Sequence, residues 1–179
     1  MMPAIQKDPL LSAAKVLIVL IQIVVVFAMV MIGIGIGALL SVGHARIVAE
    51  IAAAGAPAFA YWLLIAGMAV IFGLLALAYR FFKELTGITN SVGAGDPFQI
   101  ENADRLTRMG WISVAVHGVT LLIMALAGWF APYLEKAGHH ADFGFDLDIE
   151  GILLTLILFI LARVFRQGAM MRAELEGTV

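Results

Sequence analysis

Apolar stretches long enough to cross a lipid bilayer are the feature that most constrains this chain. Residues 16–42 contain no charged side chain. About 20 apolar residues suffice for a spanning helix, and the apolar core of a cleaved signal peptide is shorter than this stretch. The chain is 63% hydrophobic and 13% charged, and a soluble fold of this length cannot bury so much apolar surface. The sequence therefore predicts an integral membrane protein.

Three further segments complete a set of four predicted spans: residues 58–82, 111–131 and 147–165. Aromatic residues typical of membrane interfaces flank the second and third, among them Trp62, Trp111 and Trp129. The fourth span is uncharged only over residues 151–162, about 18 Å of helix, so a re-entrant segment is the alternative.

The basic residues indicate the orientation, because cytoplasmic loops carry an excess of Lys and Arg. Four spans place nine of the eleven basic residues on one side and leave Arg46 and Lys136 on the other. We therefore predict an all-α, four-helix membrane bundle with both termini in the cytoplasm. The single domain, residues 1–179, would have a cytoplasmic loop at 83–110, an outer loop at 132–150 and a cytoplasmic tail at 166–179.

The cytoplasmic loop has the signals of a second kind of helix. A flexible turn at residues 91–95 precedes Asp96-Pro97, which resembles an N-cap and first helical position, with Gln99 placed as in a capping box. Glu101 with Arg105, and Asp104 with Arg108, are acid-first pairs four residues apart. These features predict an amphipathic helix at the cytoplasmic interface that runs or bends into span three.

The outer loop alternates apolar and acidic residues between Asp142 and Glu150, which predicts a short extended segment before span four. His nitrogens and carboxylates together could bind a divalent cation. The spacing matches no established metal motif, and an acidic, solvated loop is the simpler account. The residues of this candidate metal site are His139, His140, Asp142, Asp146 and Asp148. We predict no cofactor.

Two features lie within the predicted spans. His117 shares a helix face with Ser113 and Thr120; it is either a functional ionisable group or a neutral partner in an interhelical hydrogen bond, and the sequence places no carboxylate within the same span. Gly33 and Gly37 form a small-residue groove that allows close helix approach. That groove would serve packing inside the bundle or homodimerisation.

Two cytoplasmic segments carry a family resemblance. Residues 95–111 include GDPF and ENADRL, and residues 162–179 include ARVFRQG and LEGTV. Together with the four-span layout they resemble DUF2975, a bacterial family of small membrane proteins of unknown function, which implies the bacterial cytoplasmic (inner) membrane. Members are often encoded beside a very small helix-turn-helix DNA-binding protein. The resemblance thus implies such a regulator as a partner, and no catalytic residue or ligand.

We expect the partner to bind the second loop and the tail of a membrane-embedded sensor or interaction protein. The predicted partner-binding residues are Asp96, Pro97, Phe98, Glu101, Asn102, Arg105, Arg108, Arg163, Arg166, Arg172 and Glu176. A small transport component, or an accessory subunit of a larger complex, is the alternative. The absence of cysteine and the scarcity of nucleophile–base pairs argue against an enzyme, and a net charge of −2 argues against direct nucleic-acid binding.

Overall fold

A computed structural model describes residues 9–53, 59–136 and 148–176, and all its regular structure is helical. It has five helices in these residues: α1 (Pro9–Leu40), α2 (His44–Ala53), α3 (Ala60–Gly93), α4 (Ile100–Lys136) and α5 (Ile149–Glu176). The all-α prediction is confirmed. The chain divides into two compact units, Met1–Thr89 and Asn90–Val179, which we describe separately.

Three helical segments in the described residues are long and apolar enough to cross a membrane: Pro9–Leu40, Ala60–Gly93 and Ile100–Leu126. Large apolar side chains cover their exteriors, including Val24 on α1, Leu63 on α3 and Leu122 on α4. Such surfaces favour lipid over water, which indicates a multi-pass membrane protein. The fourth predicted span falls on α5. It is not one of the three, and its uncharged stretch lies between Glu150 and Arg163.

The connection between α3 and α4 is shorter and more ordered than the predicted loop. Residues 83–93 continue α3, and residues 91–93 are helical where we predicted a flexible turn. The helix ends in a Schellman motif: Asp96 N–H donates to the Ser91 carbonyl (3.1 Å) and Gly95 N–H to the Val92 carbonyl (3.0 Å). Gly95 has a φ of 82°, a conformation that favours glycine.

The start of α4 also differs from the predicted capping box. The helix begins at Ile100, three residues after Pro97. The Gln99 side chain donates to the Asp96 carboxylate (2.9 Å), so the two side chains bond to each other instead of each bonding to backbone. From Ile100 the helix continues without a break through the third predicted span, as the sequence analysis anticipated.

In the amino-terminal unit, α1 and α3 meet through side chains. The Tyr61 hydroxyl donates to the Leu39 carbonyl (2.8 Å) and the Gln22 amide donates to the Thr86 hydroxyl (3.2 Å). Because the later residue of α1 pairs with the earlier residue of α3, the helices are antiparallel. Tyr61 is 1% exposed and its ring packs edge-on against His44 at the start of α2, which anchors this turn. Helix α2 was not predicted.

In the carboxy-terminal unit, α4 and α5 form an antiparallel hairpin, hereafter the α4–α5 hairpin. Its buried core residues are Ala103, Leu106, Met109, Leu158 and Ala162. The backbones approach closely at glycines: a Cβ on Gly110 would lie 2.9 Å from the Phe159 ring, and one on Gly168 would lie 2.7 Å from the Phe98 ring. The predicted extended segment falls mostly outside the described residues, but Ile149 and Glu150 belong to α5 and are not extended.

Candidate functional site

Asn102 organises one end of the hairpin, where α3 ends and α4 begins. It is 0% exposed. Its amide donates to the Ser91 hydroxyl (2.6 Å) and the Pro97 carbonyl (2.8 Å), and its carbonyl oxygen accepts from Arg105 (2.9 Å). A buried amide of this kind must find partners, and these three connect the last turn of α3, the connection and α4.

Two ion pairs join the same end of α4 to α5. Arg166 donates to the Asp104 carboxylate (2.7 Å), and Arg172 pairs with Asp96. All four side chains are at least partly exposed, so each pair contributes modestly to stability. The pairs fix the rotation of α5 at this end, because each connects a different turn.

Phe98 completes this end of the hairpin, which we call the hairpin base: residues 96–108 together with 163–173. The Phe98 ring packs against Phe165 at a tilt of 42°, with centroids 5.4 Å apart, and lies against Gly168. Beside it is a groove of about 350 Å³. The residues lining this base groove are Asp96, Phe98, Gln99, Ile100, Glu101, Ala169, Met170, Arg172 and Ala173.

The structure thus brings most of the predicted partner-binding residues together, but by contacts within the chain. Asp96, Asn102, Arg166 and Arg172 all bond to other residues of the base. Arg108 and Arg163 are exposed, and the side chain of Glu176 lies outside the described residues. Partner binding itself stays a prediction.

The predicted polar face of span three lies at the other end of the hairpin. The hydroxyls of Ser113 and Thr155 are 2.6 Å apart, linking α4 to α5. His117 Nδ1 lies 2.6 Å from the Ser113 carbonyl oxygen. The Thr120 hydroxyl donates to the Val116 carbonyl of its own helix (3.0 Å).

A carboxylate from the start of α5 accompanies His117, a pairing that the sequence analysis did not predict. Asp148 Oδ2 lies 3.3 Å from His117 Nε2, and Asp148 Oδ1 accepts from Gly151 N–H (2.8 Å) as the N-cap of α5. We call His117 and Asp148 the polar pair. The distance is within ion-pair range, yet the two atoms are not aligned as a hydrogen bond, and buried Nε2 has no hydrogen-bond partner within the described residues.

An apolar cavity of about 450 Å³ adjoins His117. Its lining residues are Val114, His117, Gly118, Leu121, Ile152, Thr155, Leu156 and Phe159. Gly151 sets the width of the hairpin here, because a Cβ on it would collide with His117 Nε2. A side chain at residue 151 would therefore push the polar pair apart.

The other predicted sites gain less from the structure. No group of three metal-ligating side chains occurs in the part of the chain that the structure describes; Asp148 belongs to the polar pair, and His139, His140, Asp142 and Asp146 lie outside that part. A Cβ on Gly33 would lie 4.0 Å from the Phe72 ring, while a Cβ on Gly37 would meet nothing within 4 Å in the described structure. The closest approach in α1 is at Gly35, against Met68.

The sequence analysis missed Asp148 and Thr155 as partners of the polar face. It also missed the hairpin glycines, which are Gly110, Gly151 and Gly168. A signal existed for Asp148, since an Asp followed three residues later by Gly151 at the start of an apolar run is a plausible N-cap. Pairing it with His117 required the register of α4 on α5, which the sequence does not provide.

Comparison with known proteins identifies the chain at the level of a family. No curated protein and no solved structure matches it significantly. The family model described as "Protein of unknown function (DUF2975)" matches residues 43–179, from the turn after α1 to the end of the chain. This match covers most of the sequence and includes both segments that carried the resemblance. The chain belongs to the DUF2975 family.

Proposed function

We propose that this protein is a sensor or interaction protein of the bacterial cytoplasmic membrane, and that its hairpin base binds a small cytoplasmic DNA-binding regulator. The observation that carries the proposal is the position of the base groove. Phe98, Ile100 and Met170 are each 44–50% exposed there. They lie beyond the charged residues of both helices, with Asp104 and Arg108 on α4 and Arg163 and Arg166 on α5 between the groove and the apolar spans.

This position matters because charged side chains mark the edge of the hydrocarbon layer. From Arg108 to Ile100 is about 12 Å of helix, so lipid tails do not cover the groove. An apolar patch rimmed by charges and facing water is typical of a protein-binding surface. Exposed methionine suits such surfaces because its side chain adapts to different partners.

We expect the element bound in the groove to be a helix. An amphipathic helix buries its apolar face in a groove through residues spaced three or four apart, and small DNA-binding proteins of the helix-turn-helix type consist mainly of such helices. Glu101 and Arg172 at the rim would pair with charges on the partner and select its orientation.

Two adjacent methionines of α5 allow a matched test. Met170 lines the groove and is 50% exposed, whereas Met171 is 60% exposed and is not among the lining residues. We would crosslink native membranes mildly, purify the full-length protein expressed at its native level, and identify co-purified proteins by mass spectrometry. The comparison is between the unmodified chain, Met170→Glu and Met171→Glu.

We expect a small helix-turn-helix protein with the unmodified chain and with Met171→Glu, and at least a roughly tenfold lower recovery with Met170→Glu, because the loss of a hot-spot residue at an interface costs about 2 kcal/mol or more. Equal recovery with both variants would contradict binding at the groove. Recovery of membrane transport subunits in place of a soluble regulator would favour the accessory-subunit alternative.

Arg105→Glu is a less suitable test, although Arg105 is among the predicted partner-binding residues. Its guanidinium donates to buried Asn102, so this substitution would disturb the base itself. Removing residues 175–179 is a second variant, because none of these residues lines the base groove.

A further inference from the structure

Hydrogen-bond chemistry fixes the position of one proton on His117. The Ser113 carbonyl oxygen, 2.6 Å from Nδ1, can only accept a hydrogen bond, so Nδ1 carries a proton. In a neutral imidazole the other nitrogen then has none and is an acceptor. Nε2 would therefore present a lone pair to Asp148 Oδ2 at 3.3 Å, and two acceptors at this distance repel each other.

The arrangement becomes favourable when one more proton is bound. A proton taken from solvent onto Nε2 converts the imidazole to an imidazolium, which donates to the carboxylate and gives buried Nε2 a partner. No other bond forms or breaks. Asp148 provides the route, since its side chain is 64% exposed while that of His117 is 23% exposed.

A proton that bridges the pair needs no ligands beyond these two side chains. A metal ion needs more, and the described residues hold no group of three metal-ligating side chains.

We propose that His117 and Asp148 bind a proton and that proton binding holds this end of the α4–α5 hairpin closed. With the proton, attraction across the pair adds to the Ser113–Thr155 contact. Without it, repulsion between the two acceptors separates α4 from the first turn of α5. The closed form is therefore favoured when the extra proton is bound, at low pH, and disfavoured when that proton is released, at high pH.

Within the described residues, few other titratable groups surround the pair; His139, His140, Asp142 and Asp146 lie outside those residues. On α4, no other titratable residue lies between Arg108 and Tyr133. On α5, Asp148 faces His117, and Glu150 is two residues further along and exposed. Neutral Ser113 and Thr155 are the polar neighbours. The inference does not depend on the partner proposed above, and its test contains no partner.

The natural absence of cysteine allows two spin labels to be placed cleanly. We would label the full-length chain at Leu121→Cys on α4 and Ile149→Cys on α5, which are exposed positions, and reconstitute it in lipid nanodiscs. Double electron–electron resonance at about pH 5 and about pH 8, the range in which histidine commonly titrates, would give the distance distribution between the helices.

We expect a short, narrow distribution at the lower pH and loss of most of that population at the higher pH. Asp148→Asn should keep the short distance at both pH values, because the new amide donates to unprotonated Nε2 and Asn remains a good N-cap. Glu150→Gln is the matched control and should keep the full response.

Two results would overturn the proposal: the same distribution at both pH values in the unmodified chain, or a response removed by Glu150→Gln and retained by Asp148→Asn. Should Asp148→Asn fail to insert, His117→Gln provides the second variant. Glutamine neither titrates nor faces the carboxylate with a fixed lone pair, so we expect the pH response to be lost there too.

Discussion

The amino-terminal unit and the α4–α5 hairpin bring helices together in different ways. Helices α1 and α3 meet through side chains such as Tyr61 and Gln22. In the hairpin, polar contacts recur from Asp96–Arg172 at the base to the polar pair at the other end, and glycines let the backbones approach between them. Because lipid provides no hydrophobic drive between helices, small residues and polar contacts determine how tightly they associate.

The family match does not separate the two units. It begins at residue 43, after α1 ends at Leu40, and includes α2 and α3 as well as the whole hairpin. The difference in contacts nevertheless predicts that substitutions of the same type have larger effects in the hairpin than between α1 and α3.

The largest expected difference in stability is between substitutions of two amide side chains, the buried Asn102 and the half-buried Gln22. Asn102→Leu removes three hydrogen bonds in a fully buried position and should lower the free energy of unfolding by about 2–3 kcal/mol. Gln22→Leu removes one bond between α1 and α3 and should cost no more than about 1 kcal/mol. Unfolding by SDS titration in mixed micelles measures both, and equal losses would contradict the comparison.

Smaller effects on stability, of opposite sign, are expected when two glycines are each replaced by alanine. Gly110→Ala places a methyl group 2.9 Å from the rigid Phe159 ring and should destabilise the protein by about 1–2 kcal/mol despite the better helix propensity of alanine. Gly73→Ala enters open space in the described structure and should stabilise α3 by about 0.5–1 kcal/mol. Thermal unfolding in detergent would show melting temperatures moving in opposite directions; a shift of both in the same direction would count against close packing at Gly110.

The smallest expected effect concerns the ion pairs of the base. A double-mutant cycle with Asp104→Asn and Arg166→Gln should give a coupling energy of about 0.5 kcal/mol, because both side chains are about half exposed. The coupling should fall further when salt is raised, since exposed charges are screened. A coupling of several kcal/mol that salt does not change would mean that the pair is shielded from solvent, for example by a bound protein.

Hydropathy and local signals predicted much of the fold. Residues 16–42, 58–82 and 111–131 were identified as spans because apolar length alone identifies them. The helix ends were less accurate. Residues 83–93 appeared to be loop because Lys83 and Glu84 end the apolar run, whereas the backbone continues as helix until Gly95 permits the Schellman cap.

The candidate sites depended more on long-range structure. His117 could be identified from its position in an apolar span, and the charged residues of the base from their density. Sequence alone could not predict the contacts His117–Asp148 and Asp104–Arg166. These contacts depend on the register of two helices that are separated by a connection of a dozen residues. A shift of α5 by one residue would rotate its faces by about 100° and remove both.

The continuity of α4 has a mechanical consequence. Ile100–Lys136 is one unbroken helix, and from Ile100 to His117 its rise is about 25 Å. A stiff rod carries a twist about its long axis from one end to the other with little loss. Rotating α4 by one tenth of a turn beside Asp148 would therefore turn Ile100 and Glu101 by the same angle. A small torque at the polar pair would thus be transmitted to the hairpin base without any hinge.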